Sequence, residues 1–270
     1  MLDRATARTP VAQSRDDVAG LAASSPDLAT LEARCSVCRA CPRLVAWREE
    51  TAVLKRRAYQ GEPYWGRPIP GWGDERAWLL VVGLAPAAHG GNRTGRIFTG
   101  DRSGDWIFAA LHRAGLARTP TSLDAADGQQ LIGTRIAAAV RCAPPANKPE
   151  PGERDTCAPW FDREVTLLLP TVRGVLALGA FAWDAMLASA ARLGWAVPSP
   201  KPRFGHGAQV HLQPGPSQVG LSQPGPRRPG ILMVASYHVS QQNTFTGRLT
   251  EPMLDAVLDR LAMVKPLLSG

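Results

Sequence analysis

The sequence predicts an α/β protein built on four parallel strands with helices covering both faces. Three observations lead there. Short, apolar, β-prone runs occur at residues 78–84, 136–141, 172–178 and 231–236; the loops after the first and last are rich in Gly, Pro, Asn, Ser or Thr; and helical spacing of apolar residues fills the segments between the runs. Runs of this length bounded by turn formers read as buried strands, and strands alternating with helices imply parallel pairing with cover on both faces.

Residues 1–30 are rich in Ala, Ser, Thr and Asp with no apolar period and no signal-peptide core. They read as a flexible tail ahead of a single domain at residues 31–270. Residues 30–57 show helical spacing through Leu31, Leu44, Val45, Trp47 and Leu54. The Gly/Pro/aromatic stretch YQGEPYWGRPIPGWGDER at residues 59–76 reads as an irregular loop packed over the sheet. After the first strand, residues 103–114 form a helix with Ser103 as N-cap and Ile107, Leu111 and Ala114 on one face. The second strand leads to a helix at 153–169, with Pro159 in its first turns or kinking it. The third strand leads to a helix at 180–193, and residues 195–230 form a Pro/Gly/Gln-rich, partly mobile insertion. A closing helix at 250–267 follows the fourth strand, capped by Thr250 with Pro252 in its first turn.

A chain of 270 residues that is 44% apolar can bury a sizeable core. No run reaches the length of a membrane span, so a soluble, intracellular protein is expected. The net charge of +8 suits a polyanionic partner. Residues 39–67 carry Arg39, Arg43, Arg48, Lys55, Arg56, Arg57 and Arg67 against Glu49, Glu50 and Glu62, and residues 195–230 carry Lys201, Arg203, Arg227 and Arg228 with no acid. Charge by itself fits a solvated basic surface equally well.

Cys35, Cys38 and Cys41 form C-x2-C-x2-C, and Cys142 and Cys157 follow about a hundred residues later. This usage points to a thiolate-ligated metal rather than to disulfides. Four sulfurs suffice for tetrahedral zinc or a [4Fe–4S] cluster, and one cysteine is then spare. The spacing is not that of a ferredoxin, so zinc, a cluster and unrelated buried thiols all remain open.

Two loops leave the carboxyl ends of the first and fourth strands, GLAPAAHGGNRTGRIFTGDRSG at 83–104 and ASYHVSQQNTFTGR at 235–248. Ligands bind at such positions in α/β sheets. One loop offers Asp101, Asn92 and several glycines, the other His238. Asp101 also suits a plain helix cap, and His238 a packed structural histidine. His89, His112, His206 and His211 read as surface or packing residues.

With these residues in view, CRACPRLV with AWRE after it, GEPYWGRPIPGWGD, the 83–104 loop, VRCAPPANKP and SYHVSQQNTFTGRLT resemble, in order, the family 5 uracil-DNA glycosylases. The resemblance spans roughly residues 38–265 and weakens at 195–230. It implies a three-layer α/β/α fold with a four-stranded parallel sheet, and a [4Fe–4S] cluster on Cys38, Cys41, Cys142 and Cys157, leaving Cys35 spare. It also implies hydrolysis of the N-glycosidic bond of uracil and other deaminated bases in double-stranded DNA after base flipping. Leu84, Ala85, Pro86 and Ala87 offer no polar side chain where related glycosylases carry an acid, so the carboxylate falls to Asp101. Ala138 stands where the related cluster-bearing family has Asn, which should relax base discrimination.

The implied roles follow residue by residue. Asp101 stabilises the sugar cation and orients water, His238 donates to a carbonyl oxygen of the leaving base, and Asn147 contacts the base. Phe98 stacks on the extruded base; Gly83, Ala85, Ala138 and Asn92 line its pocket, with the 90–92 amides on its phosphate. Gln241, Gln242 and Asn243 enter the duplex, and Arg96 contacts DNA. The implied protein is a cytoplasmic, nucleoid-associated monomer. The competing reading is a non-catalytic nucleic-acid-binding module stabilised by zinc or a cluster; a redox enzyme is disfavoured because no G-x-G-x-x-G is present.

Overall fold

The computed structural model describes residues 3–215 and 229–266. The chain runs through α1 (Arg15–Ala23), α2 (Leu28–Ser36), α3 (Pro42–Leu54), β1 (Trp72–Gly73), β2 (Leu79–Gly83), α4 (Gly91–Thr94), α5 (Arg102–Arg113), β3 (Thr134–Ala138) and α6 (Pro151–Leu168). It continues through β4 (Gly174–Leu178), α7 (Ala180–Arg192), β5 (Trp195–Ala196), β6 (Gln209–Pro214), β7 (Ile231–Ser236), α8 (Gln241–Phe245) and α9 (Glu251–Ala262).

The four predicted strands are β2, β3, β4 and β7, and they pair in parallel in the order β3-β2-β4-β7. Each is buried along its whole length. That is why they read as continuous apolar runs rather than as alternating ones. Successive residues still point to opposite faces: Leu79 and Val81 pack with α5 and α9, while Leu80 and Val82 pack with α6 and α7. The registers Leu79↔Thr134 and Leu79↔Gly174 start neighbouring strands level, so their carboxyl ends form one edge.

Among the described residues the sheet has seven strands rather than four, because antiparallel strands extend both sides of the parallel core. β1 pairs with β3, inside the stretch expected to be irregular. β6 pairs with β7, and β5 with β6, inside the expected 195–230 insertion. β6 buries Val210 and Leu212 and exposes their neighbours, a half-covered pattern hidden among prolines and glycines. Residues 216–228 of that insertion lie outside the described residues.

The expected flexible tail is corrected over most of its length. Ser14 and Asp17 form a capping box for α1, and Asp27 caps α2. Ala12, Val18 and Ala22 are buried beside Leu31, Cys35 and Trp160. The apolar face of α1 is small, largely alanine, and therefore left little hydropathic trace. The helical stretch at 30–57 is two helices, broken at the C-x2-C-x2-C segment. Pro159 lies well inside α6. Thr250 occupies the N-cap position of α9 without a side-chain capping bond.

Candidate active site

The two loops singled out by composition meet at the carboxyl edge of the sheet. Gly83 ends β2, and a Cβ there would sit 3.0 Å from Phe98 Cζ, so the glycine lets the Phe98 ring lie over the strand end. Phe98 has φ 53°, a conformation bulky residues rarely hold. Its carbonyl occupies the space where Gly104 would otherwise carry a Cβ, only 2.2 Å away. Its ring centroid is 6.0 Å from that of His238, at a 40° tilt. Gly179, after β4, backs His238: a Cβ there would sit 3.3 Å from His238 Cβ.

Asp101 is the N-cap of α5, in place of the expected Ser103; its Oδ1 accepts the Gly104 N–H at 2.9 Å. Its other oxygen lies against Gly90, where a Cβ would be 1.9 Å from Oδ2. Burial raises the Asp101 carboxyl above its ordinary value, while the Gly104 and Ser103 amides favour the ionised form. Burial lowers His238 from 6.5 to about 4, so its imidazole is neutral at physiological pH. No hydrogen bond engages that imidazole among the described residues. Asp101 and His238 are thus joined through Phe98, whose ring meets one and whose backbone seats on the glycine capped by the other.

Ala138 ends β3 opposite Gly83 and is buried. Ala85 is half-buried against Leu44, Val140 and Cys142. Gln241 and Gln242 are exposed on α8. Asn243 instead folds the loop, its Nδ2 donating to the His238 carbonyl at 2.8 Å. Composition missed Phe245, 66% exposed on the same helix with the Arg102 guanidinium 5.7 Å from its ring. An aromatic followed by TG was its only sequence signal. His206 accepts the Tyr237 N–H at 3.2 Å and so holds the start of the His238 loop. His89 bonds the Tyr64 hydroxyl at 3.0 Å.

Three site expectations are corrected. Arg96 is 2% exposed and cannot reach DNA, because Asp127 and Ser122 hold it at 2.6 and 2.7 Å under Trp72. Asn92 is fully buried with its Nδ2 on the Arg48 carbonyl at 3.1 Å, so it does not line the pocket. The Gly90 and Asn92 amides both turn inward onto the Ala87 carbonyl rather than toward a phosphate. Asn147 stands on an exposed left-handed turn with φ 56°, and no hydrogen bond ties it to Asp101 or His238. Among the cations of 39–67, Arg48 is buried, Arg39, Arg43 and Arg67 are ion-paired, and Arg56 and Arg57 are exposed without an ion pair among the described residues.

Behind the loops, Cys38, Cys41, Cys142 and Cys157 line one small cavity, walled by Leu44, Val45, Trp160, Arg48 and Arg141. Cys35 instead lines a neighbouring, smaller one. Burial pushes the Cys41 thiol up to about 12, Cys142 to about 11 and Cys157 higher still. Sulfurs held this way become thiolates only against strong positive charge. No three His, Cys, Asp or Glu side chains among the described residues converge to hold a single ion. Beside the cavity, Glu164 bridges Arg135 and Arg141, at 2.5 Å from each. Burial would push its carboxyl up, but the two arginines outweigh that and hold it below its ordinary value.

Comparison with known proteins matches residues 70–262 to the family model described as the uracil DNA glycosylase superfamily. A type-5 uracil-DNA glycosylase of Mycobacterium tuberculosis is 54% identical over 237 residues, covering 88% of this chain and 81% of the relative. One from Mycobacterium leprae is 54% identical over 240 residues, covering 89% and 95%. One from Thermus thermophilus is 51% identical over 223 residues, covering 83% and 91%. Identity this high over most of both lengths, on a sheet whose strand-end loops carry the expected residues, means that the chain belongs to the uracil-DNA glycosylase superfamily, among its type-5 members.

Proposed function

We propose that this chain is a repair glycosylase that hydrolyses the N-glycosidic bond of uracil in double-stranded DNA, and that it accepts other deaminated bases. One observation carries the mechanism: a half-buried carboxylate and a neutral imidazole are joined through Phe98 at the carboxyl edge of the sheet. As the bond breaks, the base leaves with the electron pair and positive charge develops on the sugar. Ionised Asp101 stabilises that charge, orients water toward the anomeric carbon and accepts its proton. His238, uncharged, donates an N–H to a carbonyl oxygen of the departing base. A donor of this kind is worth on the order of 10²–10³ in rate. A cap needs only one carboxylate oxygen; the second, accommodated by Gly90, is the one assigned to chemistry.

Phe98 supplies the stacking surface for the extruded base, and Asn147 reaches the base once DNA orders its exposed turn. Gly83 and Ala85 lie beside this pocket, and Ala138 brings no amide to select one base. Gln241, Gln242 and Phe245 project from α8 to fill the vacated stack, with Arg56 and Arg57 on the backbone phosphates. No helix among the described residues is long and apolar enough to cross a membrane; the enzyme is read as a cytoplasmic monomer acting on the nucleoid.

Cys38, Cys41, Cys142 and Cys157 are assigned to a [4Fe–4S] cluster. What supports the reading is the donor set: four cysteine sulfurs on one cavity, the number such a cluster takes, with the buried Arg48 and Arg141 cations beside them. When bound, it would supply cross-linking, pinning the segment before α3 to the loop after β3 and to α6. Oligonucleotides carrying single altered bases, incubated with the protein and treated with alkali, test the activity. Strand breaks at uracil are expected; intact uracil duplexes beside retained DNA binding would leave the non-catalytic module as the answer.

A further inference from the structure

α3 buries Arg48, whose side chain is 1% exposed. Arg135 and Arg141 are as deeply buried, but both have buried carboxylates: Glu32 and Glu164 on Arg135, and Glu164 on Arg141. Among the described residues Arg48 has no buried carboxylate: Glu49 lies 4.0 Å away with its side chain 42% exposed, and Arg48 Nε is buried without an acceptor. Its terminal nitrogens donate to Cys142 Sγ at 2.9 Å and the Cys38 carbonyl at 3.0 Å. An uncompensated buried cation is costly, so this position is built for negative charge on the sulfurs. The backbone of the same residue faces the active site. Its carbonyl accepts Asn92 Nδ2 at 3.1 Å. Asn92 lies in α4, two residues after the Gly90 that accommodates Asp101 Oδ2.

We propose that Arg48 is a positioning residue coupling the cysteine cavity to the Asp101 loop: its guanidinium balances the charge of a sulfur-ligated group, and its carbonyl anchors Asn92, seating Gly90 beneath Asp101. The proposal rests on reading Cys38, Cys41, Cys142 and Cys157 as ligands of an iron–sulfur cluster. A cation hydrogen-bonded to a ligand sulfur favours the more negative, reduced state and raises the potential. Removing it lowers the potential and frees α3 to part from α4.

The test compares the full-length protein with Arg48→Met and Arg48→Lys. Iron and acid-labile sulfide per chain, midpoint potential by optical titration, and amide hydrogen exchange across residues 87–95 are measured. In iron-loaded Arg48→Met the potential moves negative and exchange across 87–95 quickens about five- to tenfold. Arg48→Lys, which keeps the charge but not the planar fork, falls between. Unmodified protein free of iron and sulfide removes the cluster reading and this proposal with it. Iron-loaded Arg48→Met with an unchanged potential, or with unchanged exchange at 87–95, overturns the coupling and leaves the cluster standing. Should Arg48→Met fail to fold, an Arg48→Lys protein matching the unmodified one in potential and exchange overturns it equally.

Discussion

Gly90→Ala isolates the contact that separates a working carboxylate from a helix cap. The three atoms nearest an added methyl group at Gly90 all belong to the Asp101 side chain. The new Cβ would lie 1.9 Å from Oδ2, 2.8 Å from Cγ and 3.1 Å from Cβ of Asp101. Recovering an ordinary 3.4 Å contact moves the carboxylate by about 1.5 Å. A misplacement near 1 Å costs about a hundredfold in rate, so single-turnover cleavage of a uracil duplex should slow by about 10² or more. The cap weakens too, by about 1 kcal/mol, lowering Tm by roughly 2–4 °C. DNA affinity should stay within about twofold, because no charge changes. A cycle with Asp101→Asn completes the assay, since the double variant should be no slower than Asp101→Asn by itself. Cleavage by Gly90→Ala within twofold of the unmodified rate, or losses that multiply in the double variant, would refute the reasoning.

Asp101→Asn keeps a capping oxygen but loses the charge, so turnover should fall by about 10² or more with little change in DNA binding, measured by single-turnover kinetics and anisotropy. The pH profile should show an acid limb above 3.8, where Asp101 loses its charge as pH falls through its raised pKa. It should not decline between about pH 7 and 9 on account of His238, which is already neutral there. Because His238 titrates at about 4 in the fold against 6.5 unfolded, the unfolded chain binds the extra proton and stability falls as pH drops from 6.5 toward 4. His238→Gln should flatten that part of the melting-temperature curve. Replacing Arg56 and Arg57 by Ala should reduce the log–log salt slope of DNA binding by about 1 to 2, whereas Arg39→Ala should not alter it. Glu164→Gln leaves buried Arg141 without its carboxylate and Arg135 with Glu32, and chemical denaturation should show a loss of about 3–5 kcal/mol.

The sequence by itself determined the parallel core, the loops that carry the candidate site and the cysteines set apart as a group. These are local patterns: a strand buried on both faces must be apolar throughout, as Leu79–Gly83 is, and a loop at its carboxyl end must turn at once. Family likeness narrowed the chemistry to Asp101 and His238 without showing what surrounds them. Only the tertiary structure decided which polar residues were free to act. Arg96 and Arg56 read alike in one dimension, yet one is spent on Asp127, 31 residues away, and the other faces solvent. Asn92 resembled a pocket amide until Arg48, 44 residues earlier, was seen to accept its hydrogen bond. The helix at Arg15–Ala23 and the antiparallel edge strands escaped notice because each buries a narrow, mostly small-residue or alternating face against elements distant in sequence. Burial by a neighbour along the chain leaves a periodic trace, whereas the partner of a charge or an amide is chosen by folding in three dimensions.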